Sequence, residues 1–237
     1  MTPENARRPS PRLLLALFTT VALLSGGLVV VAIAGRGAGD GEPVAIVEEK
    51  DSQFRGNVLP DGIDKSPAAD FRLQDARGGM FGTDDVAGKP YVVTFLYVNC
   101  DDVCPVIAQE LRLALERLGR RADDVAVLGV SADPKGDTAE AVRLWLDRHR
   151  LPDNFHYLIG SRAELKPVWD AYYAAPQSDT YAERGDHSAS IWMVDAVDRL
   201  RTKYSAGAPV PPGDVAHDFM VLLREADRGS TAERASQ

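Results

Sequence analysis

Two stretches constrain this chain more than any others: "YVVTFLYV" at residues 91–98 and "VAVLGVSAD" at 125–133. Each is a near-continuous run of apolar and β-branched residues. A strand with one face in water alternates polar and apolar positions, whereas a strand covered on both faces does not. Each run leads into a segment of helical periodicity, so the pair predicts a sheet with helices packed on both sides. "VCPVIAQELRLALERLG" (103–119) supplies the first helix, with Val106, Ile107, Leu111, Leu115 and Leu118 at helical spacing and Gly119 as its C-cap. "DTAEAVRLWLDRHR" (137–150) supplies the second, with Asp137 or Thr138 as its N-cap.

The flanking segments complete the pattern. From near Ala68, Phe71 and Leu73 alternate with polar residues before a turn at Gly78-Gly79, which predicts a strand and hairpin. "HYLIG" (156–160) predicts a short strand, and "RAELKPVWDAYYA" (162–174) a helix kinked or begun late by Pro167. "ASIWMVDA" (189–196) and "RLRTKYS" (199–205) predict an antiparallel pair turning at Val197-Asp198, followed by a closing helix in "PPGDVAHDFMVLLREAD" (211–227). No internal repeat is visible. The expected fold class is α/β: one mixed sheet flanked by helices, of thioredoxin-like architecture.

Residues 13–35 contain no charged residue and would span about 34 Å as a helix, enough to cross a bilayer core of about 30 Å. Arg7, Arg8 and Arg12 precede them, which predicts a cytoplasmic N-terminus (1–12), a transmembrane anchor (13–35) and an exported remainder. The competing reading is a cleaved signal peptide ending at "AIA" (32–34), but the apolar run exceeds the usual signal core. No cysteine lies near the end of the run, which excludes a lipoprotein anchor. Residues 36–66, rich in Gly, Asp, Glu, Pro and Ser, predict a linker ordered only near "FRGNVLP" (54–60). The folded domain is expected over 67–227 and a polar, disordered tail over 228–237.

A formal net charge of -8 argues against nucleic acid as the partner. The chain has only two cysteines, Cys100 and Cys104, too few for a disulfide framework. They fall where the first core strand ends and its helix begins. Unpaired N–H groups and the helix dipole favour a thiolate there, and Pro105 costs no hydrogen bond in the first turn. A static disulfide, a redox couple and a chelating pair for Cu(I) or Zn(II) all remain open on spacing alone. A metal site needs a further ligand. Of the four histidines, His149, His156 and His217 sit in or beside regular elements. His187 stands in a polar loop before a strand, which a thioredoxin-like sheet would bring beside the first helix.

In order along the chain, "FRLQDARGG", "VVTFLYVNCDDVCPV", "GVSADPKGDT", "HYLIGSRAELKPVWDAYY" and "DHSASIWMVD" resemble the Sco/SenC proteins, membrane-tethered thioredoxin-like copper chaperones for cytochrome oxidase assembly. The resemblance covers about residues 54–225. It implies that Cys100, Cys104 and His187 bind copper, as Cu(I) or Cu(II), with Asp133 and Asp186 as acidic neighbours of the ligands. It also implies a single-pass membrane protein with its C-terminal domain on the extracytoplasmic side. The implied partner is the copper-site subunit of a cytochrome c oxidase, with an upstream copper donor or a thiol reductase as further partners. The alternative is a thiol-disulfide oxidoreductase that keeps the oxidase's copper-site cysteines reduced, with Cys100 and Cys104 as its catalytic dithiol and no need of His187. A peroxidase-like thiol enzyme would need an activating base or Arg, and no Arg stands in "NCDDVCP". The chain departs from the family pattern at "DDV", where a proline commonly follows the first cysteine, and at Asn99, where Ser or Thr is usual. Asp101 and Asp102 are expected to counter the helix-end lowering of the thiols and to favour bound cations.

Overall fold

In the computed structural model of the protein, which describes residues 53–174, 190–205 and 210–235, seven strands form one mixed sheet. They are β1 (Arg72–Asp75), β2 (Met80–Gly82), β3 (Tyr91–Leu96), β4 (Ala126–Ser131), β5 (Phe155–Ile159), β6 (Ser190–Val194) and β7 (Leu200–Ser205). The order across the sheet is β2-β1-β5-β4-β3-β6-β7. β3, β4 and β5 run parallel at the centre, while β1 pairs antiparallel with β5 and β6 antiparallel with β3. Four helices accompany them: α1 (Val103–Leu118), α2 (Ala139–His149), α3 (Arg162–Ala171) and α4 (Pro212–Ala235).

β3 and β4 are buried along their whole length, as their unbroken apolar runs predict. Their two faces feed separate cores. One joins Val92, Leu96 and Val127 to Leu111 and Leu115 of α1, Trp145 of α2 and Phe219 and Leu222 of α4. The other joins Val93, Phe95 and Leu128 to Leu165, Val168 and Trp169 of α3, with Leu59 and Ala68 from the segment before β1. Each fully buried leucine or phenylalanine contributes about 1.5–3 kcal/mol.

Several boundaries differ from the sequence expectations. The folded unit extends well upstream of Ala68: Asn57 bridges to Lys203 and Pro67 to Arg199, so residues 53–67 lie along the β7 edge. Burial of Leu59 and ion and ring contacts of this segment hold it there despite its linker-like composition. α3 begins at Arg162 in spite of Pro167, because Ser161 and Glu164 form a reciprocal capping box at its start. α4 continues to Ala235, through residues assigned to a disordered tail. Arg121 pairs with Asp227, and the hydroxyls of Ser230 and Thr231 donate to carbonyls one turn back. Thr138, rather than Asp137, caps α2 by accepting from the Ala141 amide at 3.2 Å. Among the described residues no helix is long and apolar enough to cross a membrane; residues 13–35, the expected anchor, lie outside them.

Candidate metal centre

β3 ends at Leu96 and α1 begins at Val103, so Cys100 lies in the connecting loop and Cys104 in the first helical turn. Parallel pairing of β3 with β4 brings the β4–α2 loop alongside, which gathers Asn99, Asp133 and Asp137 around the same strand ends. Both cysteines are free thiols, Cys100 5% exposed and Cys104 fully buried. The Cys104 amide donates to the Cys100 sulfur at 3.4 Å. Asp102, at the N-cap position, makes no side-chain cap bond, so a sulfur takes the amide that a cap would usually satisfy. The two thiols are hydrogen-bonded to each other, and the Tyr97 phenol donates to Cys100. Three donors therefore converge on the Cys100 sulfur.

The lowering expected from the helix end is not what the structure gives at Cys104. Cys104 is raised, chiefly by its hydrogen bond to Cys100 and then by burial, with the Tyr97 amide opposing. That hydrogen bond holds the proton on Cys104, and burial adds to it because a desolvated thiolate is costly. The buried Asp137 also bears on Cys104, while Asp101 bears on Tyr97, whose phenol bonds Cys100.

Asp137 is 4% exposed and accepts from the Val98 amide at 2.8 Å, the Ser131 hydroxyl at 2.6 Å and the Tyr157 phenol at 3.1 Å. Burial pushes its carboxyl up to about 6 from 3.8, against the lowering effect of these three bonds. A raised folded-state value means the native state holds this proton more tightly than the unfolded chain. The resulting stability is fully present below about pH 4 and lost as pH rises through about 6, a span worth about 3 kcal/mol. Asp137→Asn cannot titrate. Denaturant unfolding of both proteins at pH 4 and pH 7 should show the variant gaining about 2 kcal/mol on the wild type between the two. A pH-independent difference would refute this account of the carboxyl.

Asp133 sits in the β4–α2 turn, where its carboxylate accepts from the Lys135 and Gly136 amides, each at 3.1 Å. A side chain at Gly136 would meet Asp133 Oδ2 at 2.3 Å and Asn99 Nδ2 at 2.7 Å. The glycine thus permits the Asp133 turn to close against the residue before Cys100. His187 and Asp186 lie outside the described residues. Among those described, no group of three or more His, Cys, Asp or Glu could hold a metal ion. The other histidines are otherwise engaged: His156 with Asp75 at 2.8 Å and stacked on Phe81, His217 with Asp218 at 2.9 Å, and His149 against Trp145. Burial, then Arg148, lowers the His149 imidazole.

Sequence reasoning offers Asp137 only as a helix-cap candidate and Ser131 only as part of "GVSADPKGDT", and it does not single out Tyr157 or Tyr97. The available signal was a serine closing an otherwise apolar strand, six residues before a second aspartate. Only the tertiary structure puts those groups beneath the cysteines.

A mixed sheet with paired thiols at the junction of a central strand and its helix defines a thioredoxin-like dithiol protein. Residues 63–222 match the SCO1/SenC family model, and the chain belongs to that family. It is 28% identical over 145 residues to an SCO2-like protein of Rickettsia conorii, covering 59% of this chain and 69% of that one. The solved structure of Bradyrhizobium japonicum ScoI with copper bound is 26% identical, with a TM-score of 0.57 over 66% of this chain and 99% of that one. BsSco, described as a member of the Sco family of cytochrome c oxidase assembly proteins, shares the fold at 19% identity, with a TM-score of 0.59 over 70% of this chain and 96% of that one.

Proposed function

We propose that this protein is a membrane-anchored metallochaperone that carries copper to the copper-site subunit of a respiratory cytochrome c oxidase. The observation that carries the reading is the meeting of the Cys100 and Cys104 thiols at the start of α1 in a SCO1/SenC chain. Two adjacent soft sulfurs suit Cu(I) better than hard cations. His187 completes the ligand set, with Asp133 and Asp186 as acidic neighbours of the ligands. Residues 13–35 anchor the chain, with the domain on the extracytoplasmic side, where copper exchange with a membrane oxidase takes place. Solved B. japonicum ScoI with copper bound supports the choice of metal. Cargo is released by ligand exchange, which needs a site open to a partner's ligands, and Asp101, Asp102 and Val106 are exposed beside the thiols.

Metal analysis of protein purified under reducing conditions tests the reading: about one copper per chain is expected, with neither zinc nor an empty site. His187→Ala should leave the fold intact, weaken copper binding and change the Cu(II) spectrum. Unchanged affinity and spectrum would remove His187 from the site. The contact between the thiols equally suits a dithiol reductant of the oxidase's cysteines. Turnover of a disulfide substrate without copper, undiminished in His187→Ala, would establish that activity instead.

A further inference from the structure

We infer that Asp137 is the positioning residue of this site, holding the cysteine loop through the Val98 amide and placing a buried negative charge behind Cys104. The inference rests on the copper-binding reading for its consequences but not for its geometry. Asp137 Oδ1 accepts from the Val98 amide, two residues before Cys100. Its Oδ2 accepts from Ser131 at the end of β4 and Tyr157 in the middle of β5, both fully buried. The carboxylate therefore spans three central elements and fixes the loop between β3 and α1 to the neighbouring strands. Its own amide donates to the Asp133 carbonyl at 2.9 Å, which sets the turn that approaches Asn99. One residue thus ties the segment just before Cys100 to β4, to β5 and to the Asp133 turn.

Two effects follow and can be separated. The first is mechanical. Without an acceptor the part-buried Val98 amide loses its protein partner and the loop carrying Cys100 loosens. The second is electrostatic. A charge in a poorly solvated site acts strongly on a cation held at the thiolates, so Asp137 stabilises bound copper and favours Cu(II) over Cu(I) relative to an uncharged residue.

Asp137→Asn retains an acceptor for Val98 but removes the charge, whereas Asp137→Ala removes both. The full chain is compared in the metal-free, reduced state by iodoacetamide alkylation of each cysteine followed by mass analysis. It is then loaded with Cu(I) or Cu(II) alone to measure affinity by chelator competition and the Cu(II) charge-transfer spectrum. Alkylation of Cys100 should rise at least about tenfold in Asp137→Ala and stay within about twofold of wild type in Asp137→Asn. Copper affinity should fall about 10–100-fold in both, the range found when groups supporting metal ligands are removed, with Cu(II) weakened more than Cu(I). Tyr157→Phe, which removes one of the bonds holding the carboxylate, should move alkylation in the same direction by a smaller factor and decides the mechanical part if Asp137→Ala does not fold. Wild-type alkylation in Asp137→Ala, or in Tyr157→Phe if that variant must decide, overturns positioning. Wild-type copper affinity and spectrum in a folded Asp137→Asn overturn the role of the charge. If the wild-type protein binds no copper, the metallochaperone reading and the electrostatic part fail together, while the metal-free alkylation still decides the positioning.

Discussion

Cys100→Ser and Cys104→Ser should each abolish stoichiometric Cu(I) binding, lowering affinity by more than the roughly 10–100-fold that loss of a supporting residue costs. A hydroxyl is a hard, neutral donor at neutral pH, and only one soft sulfur would remain. The effect should fall on both positions because each sulfur touches the other. The structural costs are unequal. Cys104 is fully buried in the core with Leu96 and Ile107, where an added hydroxyl without a full partner set costs about 1–3 kcal/mol. Cys100 already sits among donors, so Cys100→Ser should keep more of its stability. Chelator competition with Cu(I), alongside circular dichroism and thermal unfolding, separates lost ligation from lost folding. Near-wild-type Cu(I) affinity in a folded Cys100→Ser protein would show that the dithiol is not the copper site, and the proposed function would fall with it.

The largest purely structural effect is expected at Asp218. It is fully buried in α4 and accepts from the Arg55 amide at 2.8 Å, the Gly56 amide at 2.9 Å and the Tyr204 phenol at 2.7 Å, with His217 at 2.9 Å. These bonds pin residues 53–57 over β7, where Phe54 also lies under the Arg201 guanidinium at 5.2 Å. Asp218→Ala leaves two amides and a phenol without an acceptor, at about 1–3 kcal/mol for each buried group. Because the freed segment can partly rehydrate, the sum should be about 3–5 kcal/mol. That corresponds to a fall in Tm of about 6–20 °C for a domain of this size. The segment before Asn57 should also become a site of limited proteolysis, which Asp218→Asn should largely prevent by keeping one acceptor oxygen. A loss under about 1 kcal/mol, with the segment still protected, would mean that the β7 edge rather than Asp218 holds it.

The elements that sequence located best are those whose local chemistry and tertiary role agree. β3 and β4 are apolar because both faces are covered, and the turn at Asp198 is where the β6–β7 hairpin reverses, with φ of 57°. Gly119 ends α1 as its position after the last apolar residue suggested. The misjudged segments are those whose composition says one thing and whose neighbours say another. Order is expected near 54–60, but residues 61–67 look like a linker, and yet the Lys65 amide donates to the Leu200 carbonyl and Pro67 bridges to Arg199 far along the chain. The polar end of α4 looks like a tail, yet Arg121, from the turn after α1, pairs with it at Asp227. Neither partner is visible within a local window.

The site divides in the same way. Sequence by itself determined that two cysteines stand at a strand-to-helix junction, with a proline in the first turn and an Asp-Pro loop after the next strand. Spacing and periodicity are local properties, and they survive in the fold unchanged. Only the tertiary structure decided what surrounds the sulfurs. Parallel pairing of β3, β4 and β5 sets Val98, Ser131 and Tyr157 side by side, so Asp137 becomes a buried strut instead of a helix cap. The hydrogen bond from Cys104 to Cys100, with burial behind it, likewise turned the expected effect of the helix end on Cys104 into its opposite. Beside the exposed Asp101-Asp102 pair, conspicuous in the sequence, the fold sets a buried carboxylate 33 positions after Cys104, where a charge acts strongly because water is excluded.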